Sequence, residues 1–536
     1  MMQIVRIGDG STERHTADHI GAKAANLAGM ASLGLPVPPA FVLPVKLCAA
    51  VIEGDPHAER HLIDGLREGV AFLEGVTGKR FGDRRAPLLV SVRSGAARSM
   101  PGMLDTVLDV GCSLAAVRGL IRQTGNPRFA WDCRRRFLEG YSSVALGLDP
   151  APFSAELTRI ISAEGAENDR QLDCEALERL AMAYHDLVED DCPSEDPEAQ
   201  LLGAARAVYR SWMSERACAY RRMENLEHLR GTAVAVQAMV FGNRGLTSGA
   251  GVAFSRDPSN GAVEPVIDIL FDAQGEDVVS GRVTPLTEAA LVDALPAVAV
   301  DLRDILARLE REYEDVQDIE FTIENGKLWI LQTRAAKRTP RAALRIAVDL
   351  VHEGLITPHE ALRRLKCVNI DSIVNASLDG AGKPIARGVA ASSGIAVGRA
   401  AFDTAGAERL AGAGDAVILM RPTMTTDDVA GFAVAAGILT AVGGRTAHAA
   451  LVARQMGKPC IVGCAINFDA SARKAQIGAA VIQEGDWLSI DGDAGAVYLG
   501  RGKIVEQRPD DELAEFARWR SGAHHRAPRS EPASNC

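Results

Sequence analysis

The segment from 318 to 334, DIEFTIENGKLWILQTR, constrains the fold more than any other part of the sequence. Asp318, Glu320 and Thr322 alternate with apolar residues, which is the two-residue period of a half-buried β-strand. Glu-Asn-Gly follows, and KLWILQ then resumes a strand pattern, so the sequence predicts a β-hairpin. We therefore expect a β-structured region with one acidic and one apolar face.

The length of the turn decides which side chains share a face of this hairpin. A two-residue Asn-Gly loop would put Gln332 on the face away from the carboxylates. A three-residue loop with Gly326 in the left-handed conformation pairs Asp318 with Gln332 and gathers Asp318, Glu320 and Gln332 on one face. We predict the three-residue loop, because only this register separates an apolar from a polar face. Such oxygen ligands suit Mg²⁺ bridging nucleotide phosphates; a solvated acidic face is the alternative.

A second segment, GGRTAHAALVARQMGKP (443–459), places His448 behind a Gly-Gly loop at the predicted start of an amphipathic helix. Backbone N–H groups and the helix dipole attract a phosphoryl group there and favour neutral imidazole, which is a nucleophile. The segment therefore predicts a transient phosphohistidine. Thr446 could donate a hydroxyl hydrogen bond, and Arg445 or Arg454 could balance phosphate charge. A helix-capping loop with an incidental histidine is the alternative.

The pattern of strands, helices and glycine-rich loops predicts an α/β multidomain protein. Strand-like and helical stretches mix over 1–340, with a largely helical insert at about 112–225. A helical linker follows at 341–384, and a second unit of short valine- and isoleucine-rich strands covers 385–503. The charged stretch 504–536 is predicted to be a disordered tail.

Charge and hydropathy exclude several classes of function. The formal net charge is −11 and no basic block tracks a phosphate backbone, which disfavours nucleic-acid binding. The longest apolar stretch, 431–444, is too short to span a bilayer, and the N-terminus lacks a signal-peptide core. The ten cysteines are scattered, as expected for free thiols in the cytoplasm. No P-loop sequence is present.

Long stretches of the chain resemble the pyruvate, phosphate dikinase family. The resemblance extends over about 1–500, and SVRSGAARSMPGM is similar to the dikinase form rather than to that of the water-using phosphoenolpyruvate synthases. The matching stretches include GAKAANLAGMASLGLPVPPAF (21–41), LLVSVRSGAARSMPGMLDTVLDVG (88–111), GNPRFAWDCRRRFLEGYS (125–142), GTAVAVQAMVFGNRGLTSGAGVAFSRDPSNG (231–261), AQGEDVVSGRVTP (273–285), QDIEFTIENGKLWILQTR (317–334) and GGRTAHAALVAR (443–454).

The resemblance implies an ATP-grasp nucleotide-binding domain followed by a swivelling β/β/α phosphohistidine domain. In this family ATP pyrophosphorylates the histidine and AMP leaves. Inorganic phosphate then takes the outer phosphoryl group as pyrophosphate. By position, the residues implied to bind ATP are Lys23, Arg93, Gly102, Arg135, Gln237, Gly251, Glu276, Asp318 and Arg334. The residues implied to be catalytic are His448, Arg93 and Thr446, and those implied to hold Mg²⁺ are Glu320 and Gln332.

The sequence also departs from the family pattern. Ala250 stands where the family usually has threonine, and Arg445 and Ala447 replace the usual Met and Ser near the phosphohistidine. Only about 36 residues follow Gly500, and we therefore expect this chain to lack the C-terminal pyruvate-binding barrel of the family.

We therefore expect ATP- and phosphate-dependent phosphorylation of His448, with transfer to pyruvate on a separate barrel subunit. A homodimer is possible. Transfer to another acceptor, such as a phenol, or a non-catalytic ATP-binding regulatory protein are the alternatives.

Overall fold

The structure is a computed structural model that describes residues 4–13, 15–98, 100, 103–188, 193–280, 283–380, 382–424, 428–445, 447–469 and 472–524. The chain forms two compact units. The first is made of the residues up to Gly249 with Phe271–Ala273 and Phe321–Thr333. The second is made of Ala250–Leu270, Gln274–Glu320 and the residues from Arg334 onward.

The N-terminal part of the first unit combines short helices with a mostly buried sheet. Its elements are β1 (Val5–Ile7), α1 (Ala17–Ile20), α2 (Ala22–Ser32), β2 (Ala40–Leu43), α3 (Cys48–Ile52), α4 (Pro56–Thr77), β3 (Arg80–Phe81), β4 (Pro87–Leu88), β5 (Val90–Ala96) and β6 (Thr106–Val110). Helix α4 begins with Asp55 as its N-cap and Pro56 in the first turn, and ends at Gly78 in the left-handed conformation. These are the residue types that mark helix boundaries.

Six α-helices lie among the described residues of 114–223, where the sequence predicts a helical insert. They are α5 (Leu114–Thr124), α6 (Pro127–Tyr141), α7 (Ala151–Ala163), α8 (Cys174–Leu187), α9 (Pro197–Ser211) and α10 (Glu215–Met223). The chain then returns to the first sheet as β7 (Thr232–Ala238), giving the antiparallel order β1-β2-β7-β5-β6. One apolar core joins this sheet to the helices and includes Phe41, Val92 and Phe129.

A second five-stranded sheet follows, in the order β10-β9-β8-β11-β12. Its strands and their connecting helices are β8 (Gly249–Phe254), β9 (Val266–Phe271), α11 (Gly275–Val279), β10 (Leu286–Thr287), α12 (Glu288–Ala294), α13 (Pro296–Tyr313), β11 (Gln317–Glu324) and β12 (Lys327–Ala335). Strand β8 is buried along its whole length. The predicted hairpin is therefore present as β11 and β12.

The turn of this hairpin differs from the prediction. Strand β11 ends at Glu324 and β12 begins at Lys327, so the loop has two residues and not three. Asn325 and Gly326 both have positive φ, 51° and 76°. Two successive positive φ values define a type I′ turn, whose twist matches that of the strands and which favours Asn-Gly. The prediction of a three-residue loop was wrong because it relied on side-chain alternation and not on this turn preference.

The segment after the second sheet contains α14 (Pro340–His352), α15 (Pro358–Arg364) and β13 (Asn375–Asp379). Beyond it lie β14 (Ala386–Arg387), β15 (Val389–Ser392), β16 (Ile395–Ala401), α16 (Thr404–Gly412), β17 (Val417–Arg421), α17 (Val429–Val434), β18 (Gly437–Thr440), α18 (His448–Met456) and β19 (Cys460–Val462). The last elements are β20 (Ile466–Asp469), β21 (Lys474–Ile477), β22 (Ala480–Gln483), β23 (Trp487–Asp491), β24 (Ala496–Leu499), β25 (Lys503–Gln507) and α19 (Asp510–His524).

These later strands build a mixed eight-stranded sheet with the order β14-β24-β23-β16-β17-β18-β19-β15. Strands β16 to β19 run parallel to one another. One side of the sheet packs on the helices through residues such as Phe432 and Ala450, and the other side packs through Ile482 and its neighbours. Burial on both faces explains why β17 reads as a continuous apolar run, VILM.

The stretch predicted to be a disordered tail is structured up to His524. Residues Lys503–Gln507 form β25, which pairs with β13, and α19 packs against α14 and α15. Trp519 on α19 is buried. Composition was misleading here because Leu513, Phe516 and Trp519 recur every three residues, and this spacing gives a charged helix one apolar side. The rest of the predicted tail, 525–536, lies outside the described residues.

Candidate active site

In the first unit, Lys23 and Arg93 are brought together by a close contact between two glycines. Gly21 precedes helix α2, which carries Lys23, and Gly95 lies on strand β5 two residues after Arg93. A Cβ atom at Gly21 would lie 2.1 Å from the carbonyl oxygen of Gly95, so only glycine permits this approach. Lys23 is exposed and Arg93 is half-buried. This contact packs the start of α2, which carries Lys23, against β5, which carries Arg93.

We expect Gly21→Ala to lower the stability of the protein by roughly 2 kcal/mol and to weaken ATP binding. The substitution adds a methyl group against the Gly95 backbone at a φ of +79°, which only glycine adopts easily. Thermal unfolding and an ATP titration measure the two effects. Gly10→Ala is the matched control, because Gly10 has a φ of +86° with nothing within 4 Å. Equal effects of the two substitutions would contradict the role of the contact.

Gln332 belongs to the first unit and lies on β12. Helix α2 is tied to this strand, because the Asn26 side chain donates to the carbonyl oxygen of Thr333 at 3.0 Å. Along β12 the buried residues are Leu328, Ile330 and Thr333, so the alternation of burial changes phase at Gln332. The two-residue turn by itself would have left Gln332 on the face of Leu328 and Ile330, and this change of phase removes it from that face. Gln332 is half-buried and does not continue the apolar face of Leu328 and Ile330.

In the second unit, Asp318, Glu320 and Arg334 form a charged cluster. Arg334 Nε donates to Asp318 Oδ2 at 2.8 Å. Burial raises the pKa of the Asp318 carboxyl, which is only 3% exposed, and Arg334 acts in the opposite direction. Asp318 Oδ1 is buried and has no hydrogen-bond partner among the described residues. Glu320 is half-buried, two residues along the strand, and its charge also raises the pKa of Asp318.

The donors of this cluster fit a divalent cation. A buried carboxylate oxygen without a donor lies on the same strand as a second carboxylate, and hard oxygen ligands are those that Mg²⁺ prefers. No group of three or more histidine, cysteine or acidic residues that could hold a metal ion occurs within the part of the chain that the structure describes. A magnesium ion here would therefore need ligands from substrate phosphates or water as well.

Helix α18 begins at His448, as the sequence predicts. The loop before it is held on strand β9: the N–H of Arg445 donates to Asp268 Oδ2 at 2.7 Å. A Cβ atom at Gly444 would lie 2.3 Å from Pro285 and 2.8 Å from Asp268, so the loop approaches this surface too closely for a side chain. Within the second unit, the start of α18 is thus docked on the strand that carries Asp268.

Asp268 was missed by the sequence analysis, although the sequence contains a signal for it. It is the one charged residue in the buried strand VIDILF, and it is 3% exposed. A carboxylate in a buried strand needs a partner, because desolvating an unpaired charge is costly. Its partner is the loop that leads into α18, with the Arg445 guanidinium 3.7 Å away.

The remaining predicted residues lie on other strands and helices or outside the described part of the chain. Gln237 is buried on β7 and donates to the carbonyl oxygen of Pro38 at 3.1 Å. Gly251 is buried on β8, and Glu276 is exposed on α11. The predicted contacts of these three residues with ATP stay predictions. Gly102 and Thr446 lie outside the described residues.

Arg135 has a different environment from the other predicted basic contacts. It is 4% exposed on α6, and its guanidinium donates to Asp132 at 2.8 Å and to Asp169 at 2.6 Å. Asp132 also accepts from the side chain of Asn243 at 2.7 Å. Arg135 thus links α6 to the segment before α8 through its hydrogen bonds to Asp132 and Asp169. Its predicted contact with ATP stays a prediction.

Comparison with known proteins supports the predicted order of domains. The family described as "Pyruvate phosphate dikinase, AMP/ATP-binding domain" matches residues 58–289 and 287–354, which is more than half of the chain. The family described as "PEP-utilising enzyme, mobile domain" matches residues 413–495. The predicted fold class, an α/β multidomain chain with a nucleotide-binding domain followed by a phosphohistidine domain, is confirmed.

Several curated proteins are similar over most of this chain. Pyruvate, phosphate dikinase of Clostridium symbiosum is 41% identical over 93% of the chain and 58% of its own length. The corresponding protein of Rhizobium meliloti (strain 1021) is 40% identical over 95% of the chain and 59% of its length. Pyruvate, phosphate dikinase 2 of Zea mays is 40% identical over 96% and 60%. The chain thus spans less than two thirds of these relatives, and it belongs to the pyruvate phosphate dikinase family.

Proposed function

We propose that this protein uses ATP to phosphorylate its own His448 and then passes the phosphoryl group to an acceptor. The docking of the α18 loop on Asp268 carries the proposal. It supports an arrangement in which the helix that begins with His448 is presented to the strands bearing the predicted nucleotide contacts. Membership of the dikinase family gives the reaction type, and the proposed acceptor is pyruvate, bound by a separate subunit.

The proposed reaction has two steps on this chain. In the first, a ring nitrogen of His448 forms a bond to the β-phosphorus of ATP, the bond from that phosphorus to the oxygen shared with the α-phosphate breaks, and AMP leaves. In the second, an oxygen of inorganic phosphate bonds to the outer phosphorus and the P–O–P bond breaks. Pyrophosphate departs and phosphohistidine remains. The first step transfers a diphosphoryl group and the second a phosphoryl group, and in each the protein must hold the attacking and leaving groups in line.

The charged residues of the two clusters have defined parts in this proposal. Lys23, Arg93 and Arg334 contact phosphate oxygens, since cationic donors offset charge that accumulates during transfer. Glu320 and Gln332 hold Mg²⁺, beside Asp318. The ion, when bound, would supply positive charge that offsets the charge of the phosphates. Arg334 opposes the rise in the pKa of Asp318 that burial causes, and so favours the carboxylate form next to the proposed metal ligands.

The decisive experiment uses ATP labelled at the β-phosphate, with Mg²⁺ and with or without inorganic phosphate. We expect acid-labile, base-stable label on the protein, and release of pyrophosphate that depends on added phosphate. Orthophosphate release without added phosphate would instead identify water as the second acceptor. ATP binding without any protein label would refute the carrier function and favour a regulatory ATP-binding protein.

The labelled protein from this experiment also serves to test for the partner subunit.

Among the described residues, no helix combines the length and apolar character that a membrane span requires. We propose a cytoplasmic protein whose labelled form is discharged by a pyruvate-binding subunit, with phosphoenolpyruvate as product. Discharge of the label by a phenol and its cognate subunit, and not by pyruvate, would reassign the acceptor.

A further inference from the structure

Arg454 on helix α18 is a buried cation whose hydrogen-bonding capacity is mostly unused. It is 1% exposed, and its guanidinium carbon lies 5.2 Å from the centroid of the Phe254 ring. Nη2 donates to the carbonyl oxygen of Arg445. Nε and Nη1 are buried and have no hydrogen-bond partner among the described residues. Buried polar groups without partners are rare, because removing them from water costs free energy that no bond returns.

The acidic residues nearest to Arg454 do not satisfy these donors. Asp318, Asp257 and Asp268 all act on its charge, but burial is the stronger influence and lowers the pKa of Arg454 to about 10. Each of the three carboxylates accepts a hydrogen bond from a group other than Arg454, although Asp318 Oδ1 has no partner among the described residues. Asp318 accepts from Arg334, Asp257 from the N–H of Ser259, and Asp268 from the N–H of Arg445. The Nε and Nη1 groups of Arg454 therefore act on these acids through charge only, without a hydrogen bond to any of them.

The direction of the side chain indicates what these donors are for. Arg454 is six residues after His448, yet its guanidinium reaches back to the carbonyl of Arg445, three residues before His448. The cationic head thus lies at the end of α18 where the carrier histidine begins the helix. Its charge also reaches Asp318, in the cluster that the proposed function assigns to ATP and magnesium.

We propose that Arg454 is a further catalytic residue, which donates to oxygens of the diphosphate or phosphate group being transferred. This inference rests on the proposed function. A planar guanidinium matches the geometry of phosphate oxygens, and a dry environment strengthens each of these bonds. Because Arg454 belongs to the carrier helix, it accompanies the phosphohistidine wherever that helix goes.

A purely structural role predicts the opposite effect on stability. If Arg454 holds the fold together, its replacement by an apolar residue lowers the melting temperature. If its unpaired N–H groups serve to bind a ligand, replacing Arg454 by an apolar residue removes an unsatisfied buried charge. The melting temperature then stays unchanged or rises. Arg454→Met keeps most of the side-chain volume and separates the two cases.

The test measures melting temperature and pyrophosphate affinity in the presence of Mg²⁺ for wild type, Arg454→Met and Arg454→Lys. We expect Arg454→Met to melt at or above the wild-type temperature, to bind pyrophosphate about 10- to 100-fold more weakly and to label on the order of 10²-fold more slowly. Arg454→Lys keeps the charge but not the planar fork, so we expect an intermediate affinity.

Arg399→Met is the matched control. Arg399 also lies against an aromatic ring, Trp487 at 5.0 Å, and donates to the carbonyl oxygen of Gly485, but it is paired with Asp415 at 2.8 Å. We expect this variant to melt lower and to bind pyrophosphate as wild type does.

Unchanged pyrophosphate affinity in Arg454→Met, or failure of both Arg454 variants to fold, would overturn the proposal. Pyrophosphate binding needs no labelled histidine. Suppose that wild type binds pyrophosphate, that Arg454→Met weakens this binding, and that wild type is never labelled by ATP. This result would refute the proposed phosphorylation of His448 but would support the contact between Arg454 and phosphate.

Discussion

His448→Ala is expected to reduce protein-bound label from β-labelled ATP to background while leaving ATP binding close to wild type. The imidazole is the proposed nucleophile, and an alanine at the first position of α18 offers no nitrogen lone pair. The measurement is acid-labile, base-stable label after rapid mixing with Mg-ATP. Retained ATP affinity matters equally, because it shows that only the acceptor of the phosphoryl group has been removed.

The control for this experiment is another histidine. His57 lies on α4 in the first unit, where Arg60 contacts its ring nitrogen at 2.9 Å. We expect His57→Ala to label at the wild-type rate. Label that survives in His448→Ala would move the phosphorylation to a different residue and disprove the assignment.

Glu320→Gln is expected to raise the Mg²⁺ concentration needed for labelling and to slow labelling at saturating Mg²⁺ by on the order of 10²-fold. The amide keeps the shape of the side chain but removes the negative charge that a hard cation requires. A titration of the labelling rate against Mg²⁺ at fixed ATP measures both effects.

Glu324→Gln provides a matched comparison on the same strand. Glu324 is also half-buried, but it accepts from Arg244 at 2.8 Å. We expect its replacement to leave the Mg²⁺ dependence unchanged and to affect stability only. If Glu320→Gln needs no more Mg²⁺ than wild type does, Glu320 is not a metal ligand.

The sequence alone predicted the elements on which the proposed site depends. Alternation along 318–334 identified both strands of the hairpin, and the Gly-Gly loop before His448 identified the start of α18. These predictions succeed because periodicity and helix boundaries are local properties. The turn was mispredicted although its signal was also local, since Asn-Gly prefers the type I′ conformation that the structure has.

Contacts between segments distant in sequence were less predictable. The N–H of Arg445 meets Asp268, which lies 177 residues away, and no local pattern links the two. The sequence showed that Arg445 differs from the residue usual in the family. It did not show that the backbone N–H of Arg445 would donate to a buried carboxylate. For Arg454 the sequence suggested a phosphate contact, and only the structure revealed that its donors are buried and unused.

The pairing of β13 with β25, together with the packing of α19 on α14 and α15, has a mechanical consequence. Strand β13 leads into the eight-stranded sheet and β25 leads out of it, and the two strands pair with each other. The sheet is therefore connected to the preceding helices by two adjacent, hydrogen-bonded strands and not by one flexible linker. A ribbon can bend and twist but not stretch. For the proposed phosphoryl carrier, this double attachment would restrict motion to bending and twisting of the ribbon, so the reach of the carrier would depend less on the length of the linker.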